Sequence, residues 1–109
     1  MLEPLLQSEK KEKILLFIYT NNESYSREIA RVFKFNINAV RNQLLNLEKS
    51  GVLYSKLKGN VRLFGINPRY PFKKELEALL EKALKFIPAD EKEKYYTRRL
   101  RPRRTGKPI

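Results

Sequence analysis

The sequence predicts a mainly α-helical chain with one small β-hairpin: a three-helix core, a two-stranded hairpin and a further helix. Three observations carry this. Apolar residues recur three and four apart through three successive segments ending near Leu47. The pattern then changes to alternation on either side of Gly59-Asn60, a two-residue hairpin signal. After Pro68 and Pro71 a helical period returns.

The first helix ends near Thr20, with Ile14, Leu15, Phe17 and Ile18 as its apolar face and Asn21-Asn22 as its stop. Its start is open: Ser8 suits an N-cap, and Pro4 suits a first turn. The second helix is short. Ser26 is its expected cap, Glu28 sits where the helix dipole favours an acid, and Ile29, Ala30 and Phe33 face inward. Tyr25 stands where a hydrophobic staple against Ala30 is expected. Lys34-Phe35 is a tight connection. Asn36 caps a third helix running to about Ser50, with Ile37, Val40, Leu44 and Leu47 buried. Gly51 ends it, where a left-handed residue is wanted.

Two strands follow, Val52 to Lys58 and Val61 to Asn67. Closing them on Gly59-Asn60 sets Leu57 opposite Arg62, Ser55 opposite Phe64 and Leu53 opposite Ile66. Leu53, Phe64 and Ile66 then face the core, with Lys56 and Lys58 on the other face. A fourth helix, residues 72–87, carries an apolar seam of Phe72, Leu76, Leu79, Leu80, Ala83 and Ile87, and Pro88 ends it. Asp90-Glu91-Lys92-Glu93 resembles a capping-box start for a last short helix holding Tyr95 and Tyr96. The expected division is a domain at 1–87, closed by a helix available for dimerisation, and a basic extension at 88–109.

Composition narrows the function. Lys and Arg total 24 against 12 Asp and Glu in 109 residues, a net charge of +12. Such an excess on a short chain indicates a polyanionic partner, nucleic acid first, with an anionic membrane surface or an acidic protein as plainer alternatives. Six of the cations, Arg98, Arg99, Arg101, Arg103, Arg104 and Lys107, lie at the C-terminal end with no acid among them. With no cysteine and no histidine, disulfides, zinc fingers, thiol nucleophiles and imidazole bases have no residues to rest on. The longest apolar run, Ile14 to Tyr19, is far short of the about 20 residues that span a bilayer. No secretory signal is visible, and an intracellular, cytoplasmic location is expected. No Gly-rich phosphate loop or supported base–nucleophile pair is present, so no catalytic residue, cofactor or metal site is assigned.

The second and third helices and their tight link have the order of a helix-turn-helix, and the hairpin after them makes a wing. The third helix exposes small polar side chains rather than the usual Glu and Lys of a solvated face. Asn38, Asn42 and Gln43 offer amide groups suited to adenine, Arg41 reaches guanine or a phosphate, and the cap residue Asn36 is counted with them among the DNA-binding candidates. A merely solvated face is the plainer alternative. Lys56, Lys58, Asn60 and Arg62 make the hairpin tip basic, suited to the phosphate backbone or the minor groove. There, lysines that only protect an edge strand are the alternative. The arginines from Arg98 to Arg104 are expected to add charge-driven affinity.

Three stretches, Tyr25-Ser-Arg-Glu-Ile-Ala-Arg, Ala39-Val-Arg-Asn-Gln-Leu-Leu-Asn-Leu-Glu-Lys-Ser-Gly-Val-Leu and Lys58-Gly-Asn-Val-Arg-Leu-Phe, resemble the winged helix-turn-helix domains of ArsR-like and MarR-like regulators. The resemblance implies a homodimeric repressor that binds double-stranded DNA. Metal-sensing members of the ArsR group use cysteine or histidine ligands, which this chain lacks. The stretch Ile66-Asn-Pro-Arg-Tyr-Pro-Phe-Lys-Lys-Glu-Leu also resembles winged-helix proteins fused or adjacent to nucleotidyltransferase domains. That leaves an adaptor for RNA or a protein partner as the alternative function. A homodimer through the helix at 72–87 is the expected assembly.

Overall fold

The computed structural model describes residues 2–6 and 8–97. Its elements run α1 (Glu3–Leu6), α2 (Glu9–Asn21), α3 (Ser26–Phe33), α4 (Ile37–Lys49), β1 (Leu53–Lys58), β2 (Val61–Ile66), α5 (Lys73–Leu84) and α6 (Ala89–Tyr95). Both starts open to the first helix are used. A short α1 contains Pro4, and Ser8 caps α2 by accepting from the Lys11 N–H at 3.1 Å. Asn22, at φ 72°, turns the chain out of α2.

Helix α2 is the centre of the core. Ile14, Leu15, Leu16, Phe17 and Ile18 are all buried, one more than a single apolar face provides. Leu16 is buried because α2 is covered on several sides, by α4, β2 and α5. Ile29, Ala30, Val40, Leu44, Leu47, Leu53, Phe64, Leu80, Ala83 and Leu84 complete the same core. Phe33 lies half-buried between the ring of Phe17, edge-on at 5.7 Å, and the stacked ring of Tyr95 at 4.9 Å. Tyr96 beside it is buried, and Tyr95 and Tyr96 pack against the same core.

Three helix starts differ from expectation. Ser26 lies within α3 rather than capping it. Both backbone groups of Ser24 are hydrogen-bonded to Phe64, which keeps the chain extended through Tyr25 (φ −132°, ψ 162°), the N-cap residue. No side chain makes the cap bond; the Ser24 hydroxyl donates instead to Glu28 at 2.6 Å. Helix α6 begins at Ala89 behind Pro88, one residue before the expected Asp90 start and again without a side-chain cap. At α5, Phe72 is the N-cap residue and is 61% exposed, its ring edge-on to Tyr70 at 5.7 Å. It therefore does not join the expected seam. Leu84 is buried in its place, on the same face as Leu80.

The burial of α5 changes what its apolar stripe does. Leu80 is 0% and Ala83 3% exposed within a single chain, in the core shared with α2. Tyr19 of α2 fastens the pair by donating to Glu81 at 2.6 Å. Leu80 and Ala83 are thus occupied at home and do not form an open dimer seam. Leu80→Ala is expected to cost about 2–5 kcal/mol in urea unfolding. Leu80→Glu is expected to abolish the cooperative transition instead of yielding folded monomers.

Candidate nucleic-acid interface

The interface is built on α4 and the hairpin. Asn36 sets the start of α4: its Oδ1 accepts from the N–H groups of Asn38 at 2.9 Å and Ala39 at 3.1 Å. The preceding turn is closed by Lys34 in the left-handed region (φ 58°). With Val40, Leu44 and Leu47 buried, Asn38, Arg41 and Asn42 stand on the exposed face and Gln43 is half-buried. Asn38 Oδ1 accepts from the Arg41 guanidinium at 3.1 Å, which orients that side chain along the helix surface. Asn36 Oδ1 is committed to the backbone of the cap, whereas Asn38 Oδ1 is engaged only by a neighbouring side chain.

The hairpin has the register read from the sequence, Leu57 opposite Arg62, Ser55 opposite Phe64 and Leu53 opposite Ile66. Gly59 supplies the left-handed turn residue at φ 65°. Two contacts fix its direction. At its base Ser24 and Phe64 exchange backbone hydrogen bonds of 3.0 and 2.7 Å, adding one bridge to the outer side of β2. On the face turned to α4, Arg62 donates to Ser55 Oγ at 2.9 Å, and Ser55 donates to Glu48 at 2.5 Å. Glu48 thereby joins the last turn of α4 to the wing.

The opposite face carries a group that sequence reasoning missed. Glu23, in the α2–α3 connection, takes Lys56 Nζ at 3.0 Å and a hydrogen bond from the Tyr54 hydroxyl. Tyr54 reaches it by lying across the paired Gly65, where a Cβ would meet its Oη, Cε2 and Cζ at 2.6–2.7 Å. Burial alone would push the Glu23 carboxyl up. The Tyr54 hydrogen bond, the Lys56 ammonium and the field of Lys58 outweigh it and hold the carboxyl below its ordinary value. Burial and then the Glu23 carboxylate push the Tyr54 phenol up to about 12. No local signal marks this cluster, since Glu23 and Lys56 lie far apart in sequence. The one hint is Gly65, a glycine inside a strand.

Lys58 and Asn60 are exposed at the tip, and Lys58 has no ion pair among the described residues. The structure thus groups Asn38, Arg41 and Asn42 on α4, and Lys56, Lys58, Asn60 and Arg62 on the wing, with Lys56 already paired. Arg98, Arg99, Arg101, Arg103 and Arg104 lie outside the described residues. Among the described residues no group of three acids is placed to hold a metal ion, and no helix is long and apolar enough to cross a membrane.

The cluster yields a pH prediction. A raised phenol pKa gives stability that is fully present below pH 10, the ordinary value, and is lost as pH rises towards about 12. Tyr54 is therefore expected to titrate near 12, and in Gly65→Ala to fall back towards 10 as the new methyl displaces its ring. Ring-carbon chemical shifts followed against pH check this. An unchanged Tyr54 titration in Gly65→Ala would contradict the packing described.

No family model matches the chain, and no curated protein does. Solved structures do match. MepR of Staphylococcus aureus, a transcription regulator of the multidrug efflux pump MepA, aligns with a TM-score of 0.58 at 16% identity, over 84% of this chain and 74% of that one. A point mutant of MepR, bound to an oligodeoxyribonucleotide, aligns at 0.51 and 18% over the same shares. YusO of Bacillus subtilis gives 0.58 at 17% identity, over 83% of this chain and 72% of its own. A double mutant of Lactococcus lactis ZitR gives 0.54 at 21%, over 79% of this chain. The chain spans 66% of that ZitR chain. These likenesses establish the architecture: the protein has a winged helix-turn-helix fold resembling that of MarR-like regulators.

Proposed function

We propose that the protein binds double-stranded DNA as a transcriptional regulator, acting as a repressor. Helix α4 enters the major groove, and the β1–β2 wing lies along the backbone or in the minor groove. The observation that carries this is the exposed row Asn38, Arg41 and Asn42 on α4, beside a basic hairpin tip. Amide side chains pair with adenine N6/N7, and a guanidinium with guanine O6/N7 or a phosphate. The oligodeoxyribonucleotide bound to the MepR mutant and the regulator described for MepR support the reading by analogy of fold. The basic end from Arg98 to Arg104 adds affinity by counterion release without reading bases.

The proposed assembly is a homodimer through the region 72–87. Since Leu80 and Ala83 are enclosed in one chain, the contact falls to the exposed Phe72 and Phe86 at the two ends of α5. Phe86→Glu is expected to shift sedimentation from dimer to monomer without lowering urea stability; a monomeric wild type at high micromolar concentration would remove the dimer.

Selection of bound duplexes from a random pool tests the function, and an enriched palindrome is expected. On the selected site, Arg41→Ala or Asn42→Ala is expected to cost about 1–3 kcal/mol, with a smaller loss on unrelated duplex. Two variants that both bind as wild type would remove α4 as the reader. Preference for structured RNA over duplex in competition would favour the adaptor alternative.

A further inference from the structure

Lys56 has been grouped with Lys58 and Arg62 as a phosphate-directed cation, but its surroundings set it apart. Its ammonium is 3.0 Å from a Glu23 oxygen. Pairs such as Lys13–Glu9 and Lys73–Glu77 join residues one turn apart on the same helix. Glu23–Lys56 instead joins two separate elements, and the carboxylate is held in place. Ser24, its neighbour, is fixed to Phe64 through both backbone groups. The Tyr54 hydroxyl donates to the same carboxylate oxygen that Lys56 contacts. Tyr54 is in turn fitted over Gly65, where any side chain would collide with it. An oxygen anion is thus presented to a wing lysine at the distance and with the donors that a phosphate oxygen would take.

We propose that Glu23 is a built-in competitor for phosphate: it occupies Lys56 and sets the wing's affinity for nucleic acid by withholding one of its cations. The proposal rests on the DNA-binding reading of the wing. A backbone phosphate that approaches Lys56 must displace Glu23 or accept a carboxylate beside it, so Lys56 contributes little net attraction. Lys58, two residues nearer the tip on the same face, contributes a full contact. The arrangement favours duplexes whose bases satisfy α4 over those held by charge alone, because it trims the part of the affinity that every sequence shares.

The test compares wild type, Glu23→Gln and Glu93→Gln, the last being an equal change of charge on α6. Each is measured with and without Lys56→Ala, by duplex affinity over a salt series. Gln at position 23 keeps an acceptor for Tyr54 and so preserves the loop. Glu23→Gln is expected to tighten unrelated duplex about fivefold near 0.1 M salt and to steepen the slope of log affinity against log salt by about 0.9. Glu93→Gln is expected to change affinity less than about twofold. Lys56→Ala is expected to cost clearly less in wild type, where its ammonium is held by Glu23, than in Glu23→Gln, where it removes the gain. Equal effects of Glu23→Gln and Glu93→Gln, weaker binding by Glu23→Gln, or an equal cost of Lys56→Ala in both backgrounds would overturn the proposal. If wild type binds no duplex, the regulator reading fails by itself. Elution of the same variants from immobilised heparin, a generic polyanion, then decides the competition. Later elution of Glu23→Gln than of Glu93→Gln supports it, and co-elution overturns it.

Discussion

The arrangement depends on how a two-stranded hairpin is held against three helices. An isolated hairpin of this length is marginal in water. Here Phe64 supplies two attachments at once. Its side chain is buried in the core around α2, and its backbone exchanges two hydrogen bonds with Ser24. The second attachment makes the α2–α3 connection a partner of β2, so the loop before the helix-turn-helix is joined to the wing after it. The direction of the wing relative to α4 follows from that, reinforced by the chain from Arg62 through Ser55 to Glu48.

The same contact explains smaller departures. Extended backbone through Tyr25 places the N-cap there, one residue before the expected Ser26, and leaves Ser26 inside α3 without a capping role. It also delivers Glu23 to the outer face of the wing, where Tyr54 and Lys56 meet it. A residue in a helix connection is thereby paired with a lysine of the hairpin, in a contact that the Ser24–Phe64 bridge and the fit of Tyr54 over Gly65 hold in place.

Much of the fold was legible because it is written in local rules. A two-residue turn at Gly59-Asn60 leaves one register, so the pairing of Leu57 with Arg62 followed from spacing. Asn36 is both preceded by a tight turn and followed by an apolar period, and it caps α4 as expected. The misses are non-local. Leu16 is buried because α2 is enclosed on several sides, and periodicity on one helix does not report how many neighbours it has. Leu80 and Ala83 fit equally a dimer seam and a private core, and only the placement of α5 on α2 separates the two. Of the candidate site, the exposed row on α4 was readable from residue type, whereas the neutralising partner of Lys56 was not.

The central claim is that one surface, the exposed face of α4 together with the wing tip, meets duplex DNA. Backbone amide chemical shifts followed during titration with a short duplex test it directly. The account predicts the largest changes at Asn38, Arg41, Asn42 and Lys58 to Asn60, with α6 and its stack of Tyr95 on Phe33 little affected. Changes concentrated on α5 and α6, with α4 and the wing silent, would contradict it.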